Sequence, residues 1–151
     1  MIRSGLTRYR AAGAALSLPL YLASLARIQA VAGKKQAALD ILDEAEAASA
    51  AADEHWISPE ISRLAGEMLL AGAADDAGAE RKFTTALAIA REQGAKLWEL
   101  RAATSLARLR YNQGHQANAR DLLAPIYGWF TEGFDTPDLK EARVLLKALN
   151  A

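Results

Sequence analysis

The sequence contains no cysteine among its 151 residues and only two histidines. Without cysteine the chain can form neither disulfides nor thiolate metal sites, and such a composition is typical of proteins from a reducing compartment. Basic and acidic side chains are equal in number, 18 of each, so no net charge draws the chain to nucleic acid or to a membrane surface. We therefore expect a cytoplasmic protein with no nucleic-acid partner and no membrane partner.

Long hydrophobic runs are also missing. No run reaches the ~18 uncharged apolar residues that a membrane-spanning helix needs. Arg3, Arg8 and Arg10, followed by the apolar residues 11–26, resemble a secretory signal. Arg27 and the repeat pattern described below argue against that interpretation, because the repeat assigns residues 18–32 to a first helix.

The residue types that carry catalysis are sparse. His55 and His115 belong to no metal-binding motif, and each lies at a predicted turn beside a helix end. Lys34 and Lys35 follow Gly33 without the serine or threonine and the earlier glycine of a phosphate-binding loop. No serine has the sequence context of a nucleophile elbow. The sequence therefore predicts that this chain is not an enzyme and that it binds no cofactor and no metal.

Alanine is abundant and β-branched residues are few, which is a helical composition. Charge is distributed unevenly along the chain. Residues 1–35 hold six basic side chains and no acid, whereas residues 36–80 hold eleven acids and one base, Arg63. We interpret these stretches as solvated helix faces.

The chain repeats one pattern after 81 residues without a gap. An intermediate copy is centred on Ala65, so the repeating unit is about 40 residues long and consists of two helices joined by a turn. Small residues recur where helices would cross closely, and large residues follow one turn later. The small positions are Ala26, Ala65, Ala107, Ala38, Ala79 and Ala119, and the large ones are Leu42, Phe83 and Leu123.

These patterns predict an all-α fold, namely an α-α superhelix of about three helical hairpins plus a C-terminal capping helix. We treat residues 1–151 as a single domain. Its predicted parts are a partial helix at 3–12, repeats at about 17–52, 56–94 and 97–130, and a capping helix at 137–149. The chain would then begin inside a repeat, as a fragment of a longer protein would.

Several details of this fold are predicted from single residues. Ser58 and Thr136 are expected to cap helices that have proline in the first turn. Residues 72–78 are expected to form a turn, and Pro125 is expected to kink or to end the helix at 116–130. Three tryptophans are expected in the core between repeats: Trp56, Trp98 and Trp129.

The small–large pattern in helical hairpins resembles the tetratricopeptide repeat over essentially the whole chain, although the standard unit has about 34 residues. Residues 66–70, 101–108 and above all 121–142 resemble the C-terminal tail of large bacterial regulators. In those regulators a class III adenylate or guanylate cyclase domain, or a winged-helix domain, precedes an AAA/STAND-type ATPase and then such repeats. The resemblance implies a non-catalytic part of a multidomain bacterial signalling protein, whose parent could carry a cyclase or an ATPase.

We therefore expect a protein–protein interaction module that binds a protein or peptide partner. The first helices of the hairpins would line the binding groove, with its residues at Arg27, Arg101, Thr104, Arg108, Tyr111 and Asn112. The arginines could receive an acidic peptide or a C-terminal carboxylate, or they could pair with neighbouring acids and recognise nothing. Ser62, Gly66, Leu69 and Leu70 would add a more apolar stretch. The alternative is a self-associating structural module that forms a homodimer through an exposed repeat edge.

Overall fold

The structure is a computed structural model that describes residues 17–151, so the predicted helix at 3–12 lies outside the described residues. Residues 17–151 are all-helical and contain no strand. Seven helices follow one another: α1 (Leu18–Val31), α2 (Lys35–Ala52), α3 (Ser58–Ala73), α4 (Asp76–Glu92), α5 (Lys96–Asn112), α6 (Gln116–Gly128) and α7 (Pro137–Leu149). None of these helices in residues 17–151 is both long and apolar enough to cross a membrane.

Proline and glycine mark the helix boundaries as the sequence indicates. Pro19 and Pro137 lie in the first turns of α1 and α7, where the missing N–H removes no helical hydrogen bond. Gly94 and Gly114 follow α4 and α5 with φ angles of 64° and 83°, a left-handed conformation that glycine adopts without steric cost. The chain can therefore leave α4 and α5 sharply, and in both cases the next helix begins after three residues.

The predicted cap at Ser58 is wrong. Ile57 occupies the N-cap position with helical φ and ψ angles, and Ser58 is already the first residue of α3. The Ser58 hydroxyl lies 3.1 Å from the hydroxyl of Ser49 in α2 instead of bonding a free backbone amide. At Asp75, by contrast, the side chain does cap α4, because it accepts a hydrogen bond of 2.8 Å from the Gly78 amide.

Two predicted boundaries are shifted. Gly72 belongs to the last turn of α3, which ends at Ala73, so the turn between α3 and α4 is shorter than the predicted 72–78. Pro125 lies inside α6, and the helix ends three residues later at Gly128 rather than at Phe130. Proline removes one backbone hydrogen bond and crowds the preceding turn, which is consistent with this early end.

Successive helices pack against each other, and the first helices of the hairpins also contact one another. The helix α3 packs against both α1 and α5, and α5 packs against α7. The odd-numbered helices thus meet on one side of the molecule, whereas α2, α4 and α6 contact only their sequence neighbours among the pairs with substantial packing.

Positions that are equivalent in the sequence repeat have equivalent burial. Each of the small and large repeat positions is at most 4 % exposed: Ala26, Ala65, Ala107, Ala38, Ala79, Ala119, Leu42, Phe83 and Leu123. The hydrophobic interior is divided into two clusters. One is formed by residues of α1, α2 and α3 with Ile57, and the other by residues of α4, α5, α6 and α7. Leu69 and Leu70, in the last turns of α3, pack against the second cluster.

The crossing of α3 and α4 depends on Gly66. A β-carbon at this position would lie 2.5 Å from Cε1 of Phe83, whose ring is completely buried. We expect Gly66→Ala to lower the free energy of unfolding by about 1–3 kcal/mol, because the ring can move only by disturbing its neighbours. Urea denaturation monitored by circular dichroism measures this change.

Gly72→Ala is the matched control. It lies in the same helix, and its added β-carbon would meet nothing closer than 3.6 Å. Alanine is the better helix former, so this variant should be unchanged or more stable by up to about 1 kcal/mol. Equal effects of the two substitutions would show that Gly66 is not needed for the helix crossing.

The tryptophan prediction is wrong for two of the three residues. Trp56 is 47 % exposed and Trp129 is 58 % exposed. The neighbour of Trp56, Ile57, fills the interior at 2 % exposure, and Trp129 lies beyond the end of α6 with its ring 5.2 Å from that of Phe130. Only Trp98 packs against the core, beside the first cluster.

Candidate functional site

A polar cleft of 170 Å³ lies where the odd-numbered helices meet. All four of these helices contribute side chains, although they are far apart in the sequence. The lining residues are Arg27 from α1, Glu60 and Arg63 from α3, Arg101, Thr104 and Ser105 from α5, and Asp138 and Glu141 from α7. The cleft therefore exists only when the hairpins are packed together.

Glu60 is the centre of the charged network in this cleft. Its side chain is 6 % exposed, and it accepts hydrogen bonds of 2.8 Å from Nε and from Nη2 of Arg63. It accepts a third bond of 3.0 Å from Nη1 of Arg101. Glu60 also lies in the first turn of α3, where the helix dipole favours a negative charge. These interactions satisfy a carboxylate that would otherwise be costly to bury.

Arg101 joins three helices through its guanidinium group. Besides Glu60 of α3, it donates from Nε to Oδ1 of Asp138 in the first turn of α7, at 3.0 Å. Its guanidinium carbon lies 5.1 Å from the centre of the Trp98 ring, within the range of a cation–π interaction. Arg101 is thus held from three sides and positions α7 against α3 and α5.

Arg63 continues the network toward Ser105. Its Nη1 lies 3.4 Å from Glu67 and 3.3 Å from the Ser105 hydroxyl, which donates a bond of 2.7 Å to Glu67. Burial lowers the pKa of Arg63, but the hydrogen bond and charge of Glu60 and the charges of Glu67 and Glu141 raise it more, so the net shift is upward. Arg63 therefore remains charged as part of the structure.

The predicted groove residues are brought together only in part. Arg27, Arg101 and Thr104 line the cleft. Arg101 already has acidic partners, and the buried Thr104 donates its hydroxyl to the Leu100 carbonyl at 2.8 Å. Arg108 pairs with Glu141 at 2.6 Å, but both side chains are about half exposed, so this pair adds little stability.

The remaining predicted residues lie elsewhere. Tyr111 and Asn112 are exposed at the end of α5 and line neither the polar cleft nor the apolar cavity described below. Ser62 and Gly66 do not form an open apolar stretch, because both are buried. The Ser62 hydroxyl has no hydrogen-bond partner among the described residues.

Sequence reasoning did not identify the acids of the cleft. The spacing of Glu60, Arg63 and Glu67, at three and four residues on one helix, is a signal for side chains that meet on one face. Asp138 could be recognised as the acid in the first turn of α7, but no local pattern indicates that it faces Arg101, 37 residues earlier.

An apolar cavity of 190 Å³ adjoins the polar cleft between α1 and α3. Arg27 lines both of them. The other lining residues are Ala26, Ala30 and Val31 of α1, Leu42 of α2, and Leu64 and Met68 of α3. One surface thus offers charged groups and an apolar recess side by side.

No protein-family model matches the chain, and no curated protein matches it. Within residues 17–151, no group of three or more histidine, aspartate and glutamate side chains is placed to hold a metal ion.

A second buried carboxylate, Glu99, lies outside the cleft in the first turn of α5. Its Oε1 accepts a bond of 3.0 Å from Nε of Arg91, and its Oε2 accepts one of 2.9 Å from Lys96. Burial acts to raise the pKa of Glu99, but hydrogen bonds and charges of Lys96 and Arg91 together lower it below the ordinary 4.5. The ionised form is therefore favoured by folding.

Because this pKa is lower in the folded state, ionised Glu99 stabilises the fold above pH 4.5, and this stabilisation is lost as the pH falls through the lowered value. We expect Glu99→Gln to cost about 1 kcal/mol at pH 7, since both partners are partly exposed. The cost should shrink toward zero in acid. Urea unfolding of both proteins at a series of pH values measures it, and a pH-independent difference would contradict this assignment.

Proposed function

We propose that this chain is a protein-interaction module that binds a segment of a partner protein on the surface formed by α1, α3 and α5. The observation that supports this most is the polar cleft next to an apolar cavity, built by side chains from successive hairpins. Bound polypeptide needs both polar groups that fix its main chain and recesses that take its side chains. In this proposal the chain binds and does not catalyse.

We further propose that the helices form a tetratricopeptide-like superhelix and belong to the C-terminal part of a bacterial signalling protein in the cytoplasm. Three observations support the superhelix: the hairpin order of the helices, the contacts between the first helices and the equal burial of the repeat positions. The resemblance of residues 121–142 to the tails of cyclase- or ATPase-linked regulators supports the assignment to a bacterial signalling protein.

Selection from a peptide library displayed on phage tests the interaction function. The purified chain should enrich a family of related peptides. Arg108→Ala removes the partner of Glu141, which lines the cleft, and should weaken their binding. Arg120→Ala is the control, because Arg120 is exposed on α6 and, among residues 17–151, pairs only with its neighbour Asp121. Both arginines form exposed pairs, so both variants should keep the melting temperature. Failure to enrich any peptide family would remove the proposal.

Self-association is the second candidate, and it is favoured by exposed apolar side chains on α1. Leu20, Tyr21, Ile28 and Val31 are 37 %, 49 %, 47 % and 91 % exposed. Neighbouring apolar side chains on an exposed helix are characteristic of an interface. Sedimentation velocity at several concentrations should then show a dimer that Ile28→Glu abolishes. A monomer at every concentration would exclude this function.

A further inference from the structure

The turns that join one hairpin to the next lie side by side on one edge of the molecule. They comprise residues 53–57, 93–95 and 129–136. The Gln93 side chain donates a hydrogen bond of 2.6 Å to the carbonyl of His55, which connects the first turn to the second. Nζ of Lys96 lies 5.5 Å from the centre of the Trp129 ring, which connects the second turn to the third. Side chains of the three turns therefore adjoin one another.

This edge exposes aromatic and apolar side chains that the hairpins do not bury. They are Trp56, Leu97, Trp129 and Phe134, each between 36 % and 58 % exposed, and we call them the aromatic edge. Large exposed apolar side chains gathered in one place are typical of an interface, and tryptophan is enriched among the residues that dominate binding energies. None of the four lines the polar cleft or the apolar cavity. The aromatic edge is therefore separate from the surface assigned to the interaction function.

Two carboxylates beside the aromatic edge have no partner. Glu132 and Asp135 are exposed three and six residues after Trp129, and neither forms a hydrogen bond or an ion pair within residues 17–151. The cation that contacts Trp129 is already neutralised, because Lys96 donates a hydrogen bond of 2.9 Å to Glu99. The surface thus offers unpaired negative charge next to aromatic rings, and such a surface attracts a basic group.

The polar cleft shows how a basic group uses such partners. The guanidinium group of Arg101 lies 5.1 Å from the centre of the Trp98 ring while it is bound to Glu60 and Asp138. Arginine suits this arrangement because its planar group stacks on an indole ring while its N–H donors reach carboxylates. The aromatic edge presents the same kinds of group, an indole ring and two carboxylates, with no arginine bound to them among residues 17–151.

We propose that the aromatic edge is a second docking surface and that it binds an arginine-containing segment of a partner protein. The arginine stacks on the exposed part of the Trp129 ring and pairs with Glu132 and Asp135. Apolar side chains next to it in the segment contact Leu97 and Phe134. The segment needs no free terminus, because side chains match every group that this surface offers. This inference goes beyond the interaction function and does not depend on the polar cleft.

Nuclear magnetic resonance on the complete, isotope-labelled chain tests this proposal with a defined probe. The probe is an octapeptide of alternating glycine and arginine with both ends blocked. Its control carries citrulline, which has nearly the same shape and no charge, in place of arginine. The three tryptophans give three indole N–H signals, which Trp56→Phe and Trp129→Phe assign. The arginine peptide should shift the Trp129 signal, and the citrulline peptide should shift none. The Trp98 signal should stay in place, because Arg101 already lies against that ring.

Substitutions separate the two contributions to binding. Trp129→Ala should raise the Kd of the arginine peptide, measured from the backbone amide signal of Gly133, about fivefold through loss of an exposed cation–π interaction. Glu132→Gln combined with Asp135→Asn should raise it by about the same factor. Asp43→Asn is the matched control, because this acid is exposed in the middle of α2, and it should leave the Kd unchanged. All these side chains are exposed, so the variants should keep the melting temperature.

Other results overturn the inference in distinguishable ways. An equal loss in the α2 control, or equal binding of the citrulline peptide, would show that no specific arginine site exists on this edge. Shifts confined to amides of the polar cleft would support the interaction function and remove the second surface. Tighter binding after glutamine replaces Arg3, Arg8 and Arg10 would show that the chain's own basic residues occupy the edge, which would overturn a partner protein as the occupant. An unshifted Trp129 signal at millimolar peptide would also remove the proposal.

Discussion

Replacing Glu60 with alanine is expected to lower the free energy of unfolding by about 3–5 kcal/mol, the usual cost of removing one partner from a buried ion pair. Glu60 receives three hydrogen bonds from two arginines. Its loss leaves the guanidinium group of Arg63, whose side chain is 17 % exposed, without its nearest acid. Denaturation with urea, monitored by helical circular dichroism, gives the free energy directly.

The control for Glu60 is Glu46→Ala. Glu46 likewise pairs with a basic side chain, that of Lys82, but their charged atoms are 3.6 Å apart and the Glu46 side chain is 61 % exposed. Exposed pairs contribute at most about 1 kcal/mol, so this variant should remain close to the parent. Equal costs of the two substitutions would show that water screens the ion pairs of the cleft and that these pairs do not hold the odd-numbered helices together.

The second large effect is expected at Phe83. Its side chain is 0 % exposed and contacts the backbone face of α3 at Gly66. Phe83→Ala should lower the free energy of unfolding by about 3–5 kcal/mol, because it removes a buried ring and leaves a cavity. Phe134→Ala is the control, since this ring is 36 % exposed at the loop before α7, and its loss should cost far less.

Combining Gly66→Ala with Phe83→Ala tests whether the Phe83 ring contacts Gly66. With Phe83→Ala in place, the added methyl group of Gly66→Ala meets no ring, so its cost should fall or become a gain. Additive effects of the two substitutions would show that the ring and the glycine do not touch in solution.

The helices of this fold could be predicted from the sequence because their signals are local. Pro19 and Pro137 mark helix starts, and glycines such as Gly94 mark helix ends. The repeat identified which alanines and large residues are buried, because each hairpin meets the same neighbours. Trp56 shows the limit of this reasoning. In the turn before α3 either Trp56 or Ile57 could face inward. Only the packing of the hairpins shows that Ile57 is the buried one.

The candidate site was predictable to a smaller extent. Arg27, Arg101 and Thr104 were placed on one surface because they lie on the first helices of their hairpins. Whether an arginine is available to a ligand depends on acids that are remote in the sequence. Asp138 engages Arg101 across 37 residues, and Arg27 has no such partner among residues 17–151. Helical periodicity contains no information about these distances.

The division of the hydrophobic interior has a consequence for how the molecule loses structure. The buried apolar side chains of α1 and α2 cluster with those of α3 and with Ile57, and Trp98 of α5 packs beside them, whereas α4 to α7 form a cluster of their own. Transient opening of the first hairpin therefore leaves the larger cluster intact. The amide protons of α1 and α2 should exchange with solvent sooner than those of α5. A partner segment bound on the surface of α1, α3 and α5 would hold this weaker end in place, so binding should slow amide exchange in the first two helices.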